Sequence, residues 1–271
     1  MESGLAEDLV HTPPLNLLKR YLAIHGWSRE VLKNRDLELF ELVVAGSGKL
    51  EIVLPGPAER IDEKRRIADA LSTLSALGGR SEREIAADVS MLDYDIIRAR
   101  LPDSKVFRDG IGLRVAEKFV GNLRRFLVSA AAAERSHAIM VQSPQKQDTD
   151  YGDECRFGHT FRGSFGFTIE SLAGPAPSLH KDLSPPPFQR RVVERMAIGL
   201  AIIERASEAN DVEALVASTG KGFNLNMLQD FSALLAESAS DQLSFGFRLT
   251  PAWPPSPVSL LGLPCLRGLW A

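Results

Sequence analysis

Hydrophobic residues in the first part of the chain switch between helical and strand spacing. Leucines recur at intervals of three and four residues from Leu15 to Leu22, which predicts a short amphipathic helix. Two β-prone runs follow at 37–44 and 49–54, and the glycine-containing segment between them is typical of a hairpin turn. We therefore predict one helix followed by a β-hairpin, with the even-numbered positions 50–54 on one face.

A pair of helices is predicted next. Apolar residues recur at helical spacing from 67 to 77 and stop at two glycines. Ser81 and Glu84 have the spacing of a capping box at the start of a second helix. Two helices joined by a short turn also permit a helix-turn-helix DNA-reading motif, but acidic residues on the second helix favour a plain helical hairpin. Those acidic residues are Glu82, Glu84 and Asp88.

The hairpin turn contains a sequence that resembles part of a nucleotide-binding loop. Residues 46–49 read Gly-Ser-Gly-Lys, as at the end of a P-loop. That motif also needs a glycine at position 43 and a Ser or Thr after the lysine, where this chain has Val43 and Leu50. The residues that follow favour a strand, so no helix N-terminus would face a phosphate. We therefore predict a plain hairpin turn.

Strands and helices are mixed in the rest of the chain, according to the spacing of apolar residues. The predicted strands are 94–101, 161–169 and 243–250. The predicted helices are 113–135, 225–236 and one that begins at Phe188. The predicted loops, which are polar or rich in proline and glycine, are 143–154 and 172–187.

Two of these predicted strands share a four-residue sequence. Ser-Phe-Gly-Phe occurs at 164–167 and again at 244–247. We hypothesise that the two strands are antiparallel neighbours in one sheet with their glycines side by side. A structure that places them in different sheets would exclude this pairing.

This order of elements indicates an α+β fold. We predict an N-terminal α+β unit at residues 1–102, with a helix, a β-hairpin and a helical pair. A second unit is predicted at 103–250, where antiparallel strands pack with helices. Residues 251–271 contain five prolines in an apolar stretch that matches neither a helix nor a strand. We interpret this segment as an irregular tail and as an aberrant end of the reading frame.

Composition excludes several classes of protein. The 271 residues carry a formal net charge of -3, so no whole-protein field favours nucleic acid or an anionic membrane. The acidic N-terminus is followed by no signal-peptide core, and no run approaches the ~20 apolar residues that span a bilayer. Cys155, Cys265 and the five histidines match no metal or redox spacing. We predict a cytoplasmic protein with no cofactor, metal ion or membrane contact.

The most basic stretch of the chain runs from residue 98 to residue 125. It contains eight Lys or Arg residues against three acidic residues. On the predicted helix, Arg114, Lys118 and Arg125 fall near one face, so they are candidates for contact with nucleic acid or another anion. The alternative is a solvated helix face, because most charged runs have no other role.

Residues 153–171 gather the largest set of reactive side chains before a strand. Arg156 and Arg162 are candidates to bind a phosphate or carboxylate through paired hydrogen bonds. Cys155, His159 and Glu170 are the alternative, a nucleophile and base in a hydrolase or transferase, which requires them to converge on a pocket. A purely structural role for this stretch also stays open.

Three segments, 49–55, 66–77 and 158–165, resemble segments of bacterial proteins of unassigned function. The resemblance implies no catalytic residues, and in it this chain departs after Trp253. We therefore predict a non-enzymatic bacterial protein that binds nucleic acid or another protein through a basic surface. The alternative is an enzyme with its site around residues 155–170.

Overall fold

The computed structural model describes residues 12–31, 37–44, 48–56, 62–101, 110–158, 166–174, 185–238, 243–251 and 253. The chain divides into two compact units, Met1–Leu92 and Asp93–Ala271. Both contain helices and an antiparallel sheet, so the predicted α+β class is confirmed. The division lies ten residues before the predicted one, because the strand at Tyr94–Arg100 pairs with strands of the second sheet.

The first unit consists of three strands and three helices. In chain order they are α1 (Leu15–Ile24), β1 (Ser28–Val31), β2 (Leu37–Val44), β3 (Gly48–Pro55), α2 (Glu63–Gly78) and α3 (Glu82–Ser90). The strands form an antiparallel sheet in the order β1-β2-β3. Strands β2 and β3 are the predicted hairpin, and β1 is an edge strand that the hydrophobic pattern did not predict.

Two local patterns predicted for the first unit, the buried face of β3 and the capping box of α3, are present in the structure. Ile52 and Leu54 are buried in its core and Leu50 packs against them, which confirms that these residues share a face. The side chain of Ser81 accepts from the backbone of Glu84, whose carboxylate accepts in return, so the capping box begins α3 as expected. These local patterns were sufficient to predict the two features, because each involves residues close in sequence.

The second unit consists of four strands and five helices among the described residues. In chain order they are β4 (Tyr94–Arg100), α4 (Leu113–Ser136), α5 (Lys146–Glu154), β5 (Arg156–Phe157), β6 (Gly166–Leu172), α6 (Phe188–Ala209), α7 (Val212–Ala217), α8 (Leu225–Ser238) and β7 (Ser244–Arg248). The strands form an antiparallel sheet in the order β5-β6-β4-β7. Helix α4 contacts α5, α6 and α8, so it lies at the centre of the helical layer.

Helix α5 lies where the sequence predicted a loop, and it is held by contacts distant in sequence. Its Asp148 is fully buried, bonds to Arg135 of α4 and accepts from the backbone of Gln145. A side chain at Gly152 would approach Val128 to 2.6 Å, so the glycine lets α5 lie closely against α4. The polar sequence of α5 carries no apolar periodicity, because its stability comes from these tertiary partners.

The predicted pairing of the two Ser-Phe-Gly-Phe strands is wrong, although both strands belong to one sheet. Strand β4 lies between β6 and β7 and is antiparallel to each of them, so β6 and β7 run parallel and do not touch. Gly166 lies opposite Arg100, and Gly246 lies opposite Arg98. Ser164 and Phe165 of the first copy lie outside the described residues.

Within the described segments, no helix is long and apolar enough to cross a bilayer. Of the predicted tail, only Pro251 and Trp253 lie inside the described residues. Trp253 is buried beside Ala173, and its indole nitrogen donates to the carbonyl of Gly174 at 3.3 Å.

Candidate functional site

The two faces of the second sheet follow from the alternation along β4. Ile97 and Ala99 belong to the hydrophobic core, together with their cross-strand partners Ile169 and Phe167. Because successive side chains point to opposite faces, Asp95 shares the core side with these residues, and the remaining four residues of β4 (Tyr94, Ile96, Arg98 and Arg100) lie on the face away from the core. Directly paired residues share a face, so the register also places residues of β5, β6 and β7 there.

We call the face of the second sheet that lies away from the core the arginine face. It carries four arginines, two of them exposed (Arg156 and Arg248) and two half-buried (Arg98 and Arg100). Glu170, opposite Arg156 on β6, is the one carboxylate among the described strand residues of this face. Among the described strand residues, this face is therefore rich in arginine.

Two of these arginines are close enough to repel each other. Burial lowers the pKa of Arg98, and the nearby positive charge of Arg248 lowers it further. Arg248 lies opposite Ile96, one diagonal step from Arg98, and diagonal neighbours in antiparallel strands are about 7–8 Å apart. The pair therefore concentrates positive charge on this part of the face.

Small residues lie beside the two central arginines. Arg98 has Thr168 on one side and Gly246 on the other, and Arg100 lies between Gly166 and Ser244. Glycine in a strand lets another backbone or a ligand approach closely. Gly166 and Gly246 are themselves buried, so this part of the face is not open to solvent at the backbone.

Arg156 lies over an aromatic ring on the same face. Its guanidinium carbon is 5.5 Å from the ring centroid of Tyr94. Arg156 is exposed, whereas Tyr94 is half-buried, so one side of the guanidinium plane contacts the ring. A guanidinium group stacked in this way keeps a fixed orientation.

The predicted basic stripe on α4 is separate from the arginine face. Arg114, Lys118 and Arg125 are all exposed, and at 100° per residue they fall within 40° of one another. The buried residues Phe119 and Leu123 lie on the opposite side of α4, in the core beneath the sheet. The stripe therefore faces away from the sheet, and the two basic groups cannot contact one flat ligand together.

Part of the charge on α4 is balanced by acidic neighbours. Arg125 hydrogen-bonds to Asn122 and lies 3.9 Å from a carboxylate oxygen of Asp230. Arg124 pairs with Asp153 at 2.6 Å. The basic residues of α4 are therefore less crowded by like charges than those of the sheet. A binding role for the stripe stays a prediction.

On the core side of the same sheet, one arginine is paired with two carboxylates. Arg190 of α6 is only 1% exposed. It contacts Asp95 at 2.5 Å and Glu194 at 3.0 Å. The backbone of Thr250 also donates to Asp95 at 2.7 Å, while the second carboxylate oxygen of Asp95 has no hydrogen-bond partner.

This buried triad carries one negative charge more than it can balance. Glu194 alone neutralises Arg190, so an ionised Asp95 is a surplus charge in a dry environment. Burial accordingly raises the pKa of Asp95 to about 6, although Arg190 and the backbone of Thr250 act in the opposite direction. The triad joins β4, α6 and the segment after β7, which is a structural role.

The predicted cysteine-based site is not assembled by the described residues. Cys155 lies on the core side beside Tyr151 and Ser171, where burial raises the pKa of its thiol to about 11. Glu170 lies on the arginine face, because it precedes Ser171 in β6. The sheet thus separates the thiol from the carboxylate, and a protonated thiol is a poor nucleophile. His159 and Arg162 lie outside the described residues.

A shallow cavity of about 350 Å³ lies between α5 and α6. Its lining residues are Lys146, Gln147, Asp150, Tyr151, Glu154, Phe188 and Gln189. Neither Cys155 nor Glu170 belongs to this lining, so the cavity does not bring the predicted nucleophile and carboxylate together. The hydroxyl of Tyr151 is already bonded to Ser171 at 3.1 Å, and burial raises its pKa well above the ordinary value.

Sequence reasoning singled out Arg156 but not Arg248, and it treated Arg98 and Arg100 only as part of a basic stretch. The alternating pattern of β4 and β7 places each of these arginines on a polar face. The sequence does not give the strand order, and it is this order that joins the polar faces of the separate strands into one surface. Among the described residues, no three histidine, cysteine, aspartate or glutamate side chains are grouped to hold a metal ion.

Comparison with protein-family models, with curated proteins and with solved structures found no match to this chain. The resemblance of three short segments to bacterial proteins therefore stays a prediction. The case for a function rests on the geometry of the two sheet faces.

Proposed function

We propose that the protein is a non-enzymatic binding protein that holds nucleic acid against the arginine face. The observation that supports this proposal is that the described strands place four arginines on one sheet face, two of them exposed at opposite edges of the sheet. The exposed side chains of Arg156 and Arg248 each carry a guanidinium group. Their forked donors match the geometry of phosphate oxygens.

The spread of the arginines favours a polyanion over a small ion. The face is four strands wide, about 14 Å at 4.8 Å between neighbouring strands. Arg156 belongs to the strand at one edge and Arg248 to the strand at the other, with Arg98 and Arg100 between them. A partner with several phosphates separated along a chain fits this spacing, whereas one small anion would reach only part of it.

A cytoplasmic location agrees with this function, because nucleic acid is abundant there. The net charge of -3 is no obstacle, since local patches and not whole-protein charge govern contact at short range. The enzyme alternative is weaker, because the thiol of Cys155 is protonated at neutral pH and the sheet separates it from Glu170.

The test is binding of a fluorescein-labelled RNA hairpin, which offers both paired and unpaired bases, measured by anisotropy between 50 and 200 mM salt. The doubly reversed variant Arg156→Glu/Arg248→Glu should bind at least tenfold more weakly than the wild type at low salt. Its slope of log affinity against log salt should be shallower by one to two units, because about two phosphate contacts are lost. Both side chains are exposed, so the variant is expected to fold.

The matched control is Arg114→Glu/Lys118→Glu, which changes the net charge by the same amount on the opposite side of the unit. It should retain affinity within about threefold. If this control loses binding and the sheet variant does not, the α4 stripe is the contact and the arginine face is not. If the wild type binds no RNA at low salt, the nucleic-acid function is excluded.

A further inference from the structure

The buried triad of β4 and α6 also holds the chain that follows β7. The backbone nitrogen of Thr250 donates to Oδ1 of Asp95 at 2.7 Å. Arg190 donates to the same oxygen and, through its other terminal nitrogen, to the carbonyl of Trp253 at 3.5 Å. Two charged side chains of the triad are therefore bonded to the backbone on either side of Pro251.

The two oxygens of the Asp95 carboxyl group have unequal surroundings. Oδ1 accepts from both Arg190 and Thr250, whereas Oδ2 is buried and has no hydrogen-bond partner among the described residues. A buried carboxylate is stable only when donors or water reach its oxygens. Ionisation of Asp95 therefore leaves one oxygen without the solvation that its charge requires.

The groups that face Asp95 supply one positive charge and one other negative charge. Arg190 and Glu194 both project from α6 and pair with each other at 3.0 Å. The segment after β7 contributes backbone groups, through Thr250. The remaining neighbours are neutral at ordinary pH, namely Tyr151 and Cys155, whose pKa values are raised by burial, and Ser171, opposite Asp95 in β6. An ionised Asp95 thus leaves the group with one negative charge in excess.

We infer that these contacts form a proton-dependent latch, which is closed on Thr250 and Trp253 when Asp95 is protonated and opens when Asp95 ionises. Opening brings water to Oδ2. The chain after β7 is the part that moves, because Thr250, Pro251 and Trp253 belong to no helix or strand. Movement of β4, β6 or α6 would break strand pairing or helical turns as well. The latch is separate from the arginine face and does not depend on the proposed function.

The pH range of opening follows from the pKa of Asp95. Burial raises this pKa from 3.8 to about 6, against the effects of Arg190 and the backbone of Thr250. Contact with water in the open form returns the pKa toward its ordinary value, so the closed form holds a proton that the open form releases. The closed form is therefore favoured most below about pH 4, and it loses this advantage as the pH rises to about 6.

Amide hydrogen exchange, measured by NMR, detects the opening. After correction for the intrinsic effect of pH on exchange, the protection factor of the Thr250 amide should fall about tenfold between pH 5 and pH 7. The amide of Ile97, at the centre of β4, should be at least tenfold better protected at each pH. Equal protection of the two amides would show that Asp95 meets water only when the whole unit unfolds, which overturns the latch.

Two variants test whether the surplus charge causes the opening. Asp95→Asn removes the titrating group and keeps an acceptor for Arg190 and Thr250. Glu194→Gln removes the competing charge, so that Arg190 balances an ionised Asp95. In each variant the protection of Thr250 should change by less than threefold between pH 5 and pH 7.

Both variants keep all five histidines, which titrate in the same pH range. A pH response that persists in either variant therefore belongs to another group and overturns the latch. Protection of Thr250 that stays constant from pH 5 to pH 7 in the wild type also overturns it. If one variant fails to fold, as judged by circular dichroism, the other carries the same test.

Discussion

The two faces of the second sheet use arginine in opposite ways. On the core side, Arg190 is almost fully buried and contacts two carboxylates. On the other side, four arginines share the strands with one glutamate, and two of them repel each other. A buried guanidinium group must be balanced or the fold is lost, whereas solvent screens the charge of an exposed one. The contrast distinguishes a charge on which the fold depends from charges whose removal should cost the fold little.

The largest expected effect is on the buried face. Replacing Arg190 by methionine leaves Asp95 and Glu194 as neighbouring buried carboxylates without a counter-charge, so the free energy of unfolding should fall by about 3–5 kcal/mol. Urea denaturation followed by circular dichroism measures this change. Arg248→Met, on the exposed face, should cost less than about 1 kcal/mol. Equal losses for both variants would contradict the distinction between the two faces.

The pH dependence of stability should reveal the surplus charge of Asp95. Its pKa is raised from 3.8 to about 6 on folding, so the folded protein holds a proton that the unfolded chain releases between those values. The contribution of Asp95 to the free energy of unfolding is therefore fully present below about pH 4. It falls as the pH rises to about 6, by about 3 kcal/mol in total.

Asp95→Asn tests the sign of this effect. The amide can still accept at the oxygen that Arg190 and Thr250 contact, and it carries no surplus charge. At pH 7 the variant should be as stable as the wild type or more so, and the difference between them should shrink as the pH falls toward 4. A wild type that gains stability over the variant as the pH rises would show that Asp95 is needed as a carboxylate.

The thiol on the core side should be chemically inert. Burial raises the pKa of Cys155 from 9.0 to about 11, so the thiolate fraction at neutral pH is lowered about 100-fold. In a Cys265→Ser variant, alkylation of Cys155 by iodoacetamide should be at least 100-fold slower in the folded protein than in urea. Reaction at the unfolded rate would restore the case for a nucleophile at this position.

The smallest effect is expected from Glu170, the carboxylate that the described strands place on the arginine face. Glu170→Gln removes the opposing charge while keeping the shape of the side chain, so affinity for the RNA hairpin should rise about twofold to fivefold at 50 mM salt. The gain should diminish at 200 mM salt, because screening weakens all charge interactions at this exposed site. An unchanged affinity would place the bound phosphates away from β6.

Local sequence patterns predicted most elements of this fold. The hairpin, the capping box of α3 and the long helices α4 and α6 each depend on residues a few positions apart. Helix α5 was missed because its buried Asp148 depends on Arg135 of another helix. The edge strand β1 was missed because pairing with β2 defines it more than its own four residues do.

The candidate site could be predicted only in part. Arg156 was recognised as a candidate from its polar neighbourhood, and the basic stretch drew attention to Arg98 and Arg100 without placing them. Arg248 carried no signal of its own, because a single arginine at the end of a short strand is ordinary. The stripe of Arg114, Lys118 and Arg125 was correctly placed on one helix face, yet that face is turned away from the sheet.

The sequence by itself determined that the chain is an α+β protein and where most of its helices and strands lie, since periodicity and capping are local. The tertiary structure decided that β4 separates the two Ser-Phe-Gly-Phe strands, and thereby which arginines share a surface. Strand order depends on contacts between residues far apart in the chain, and no spacing within one segment encodes it. The same contacts buried Arg190 between two carboxylates and left Arg98 beside Arg248.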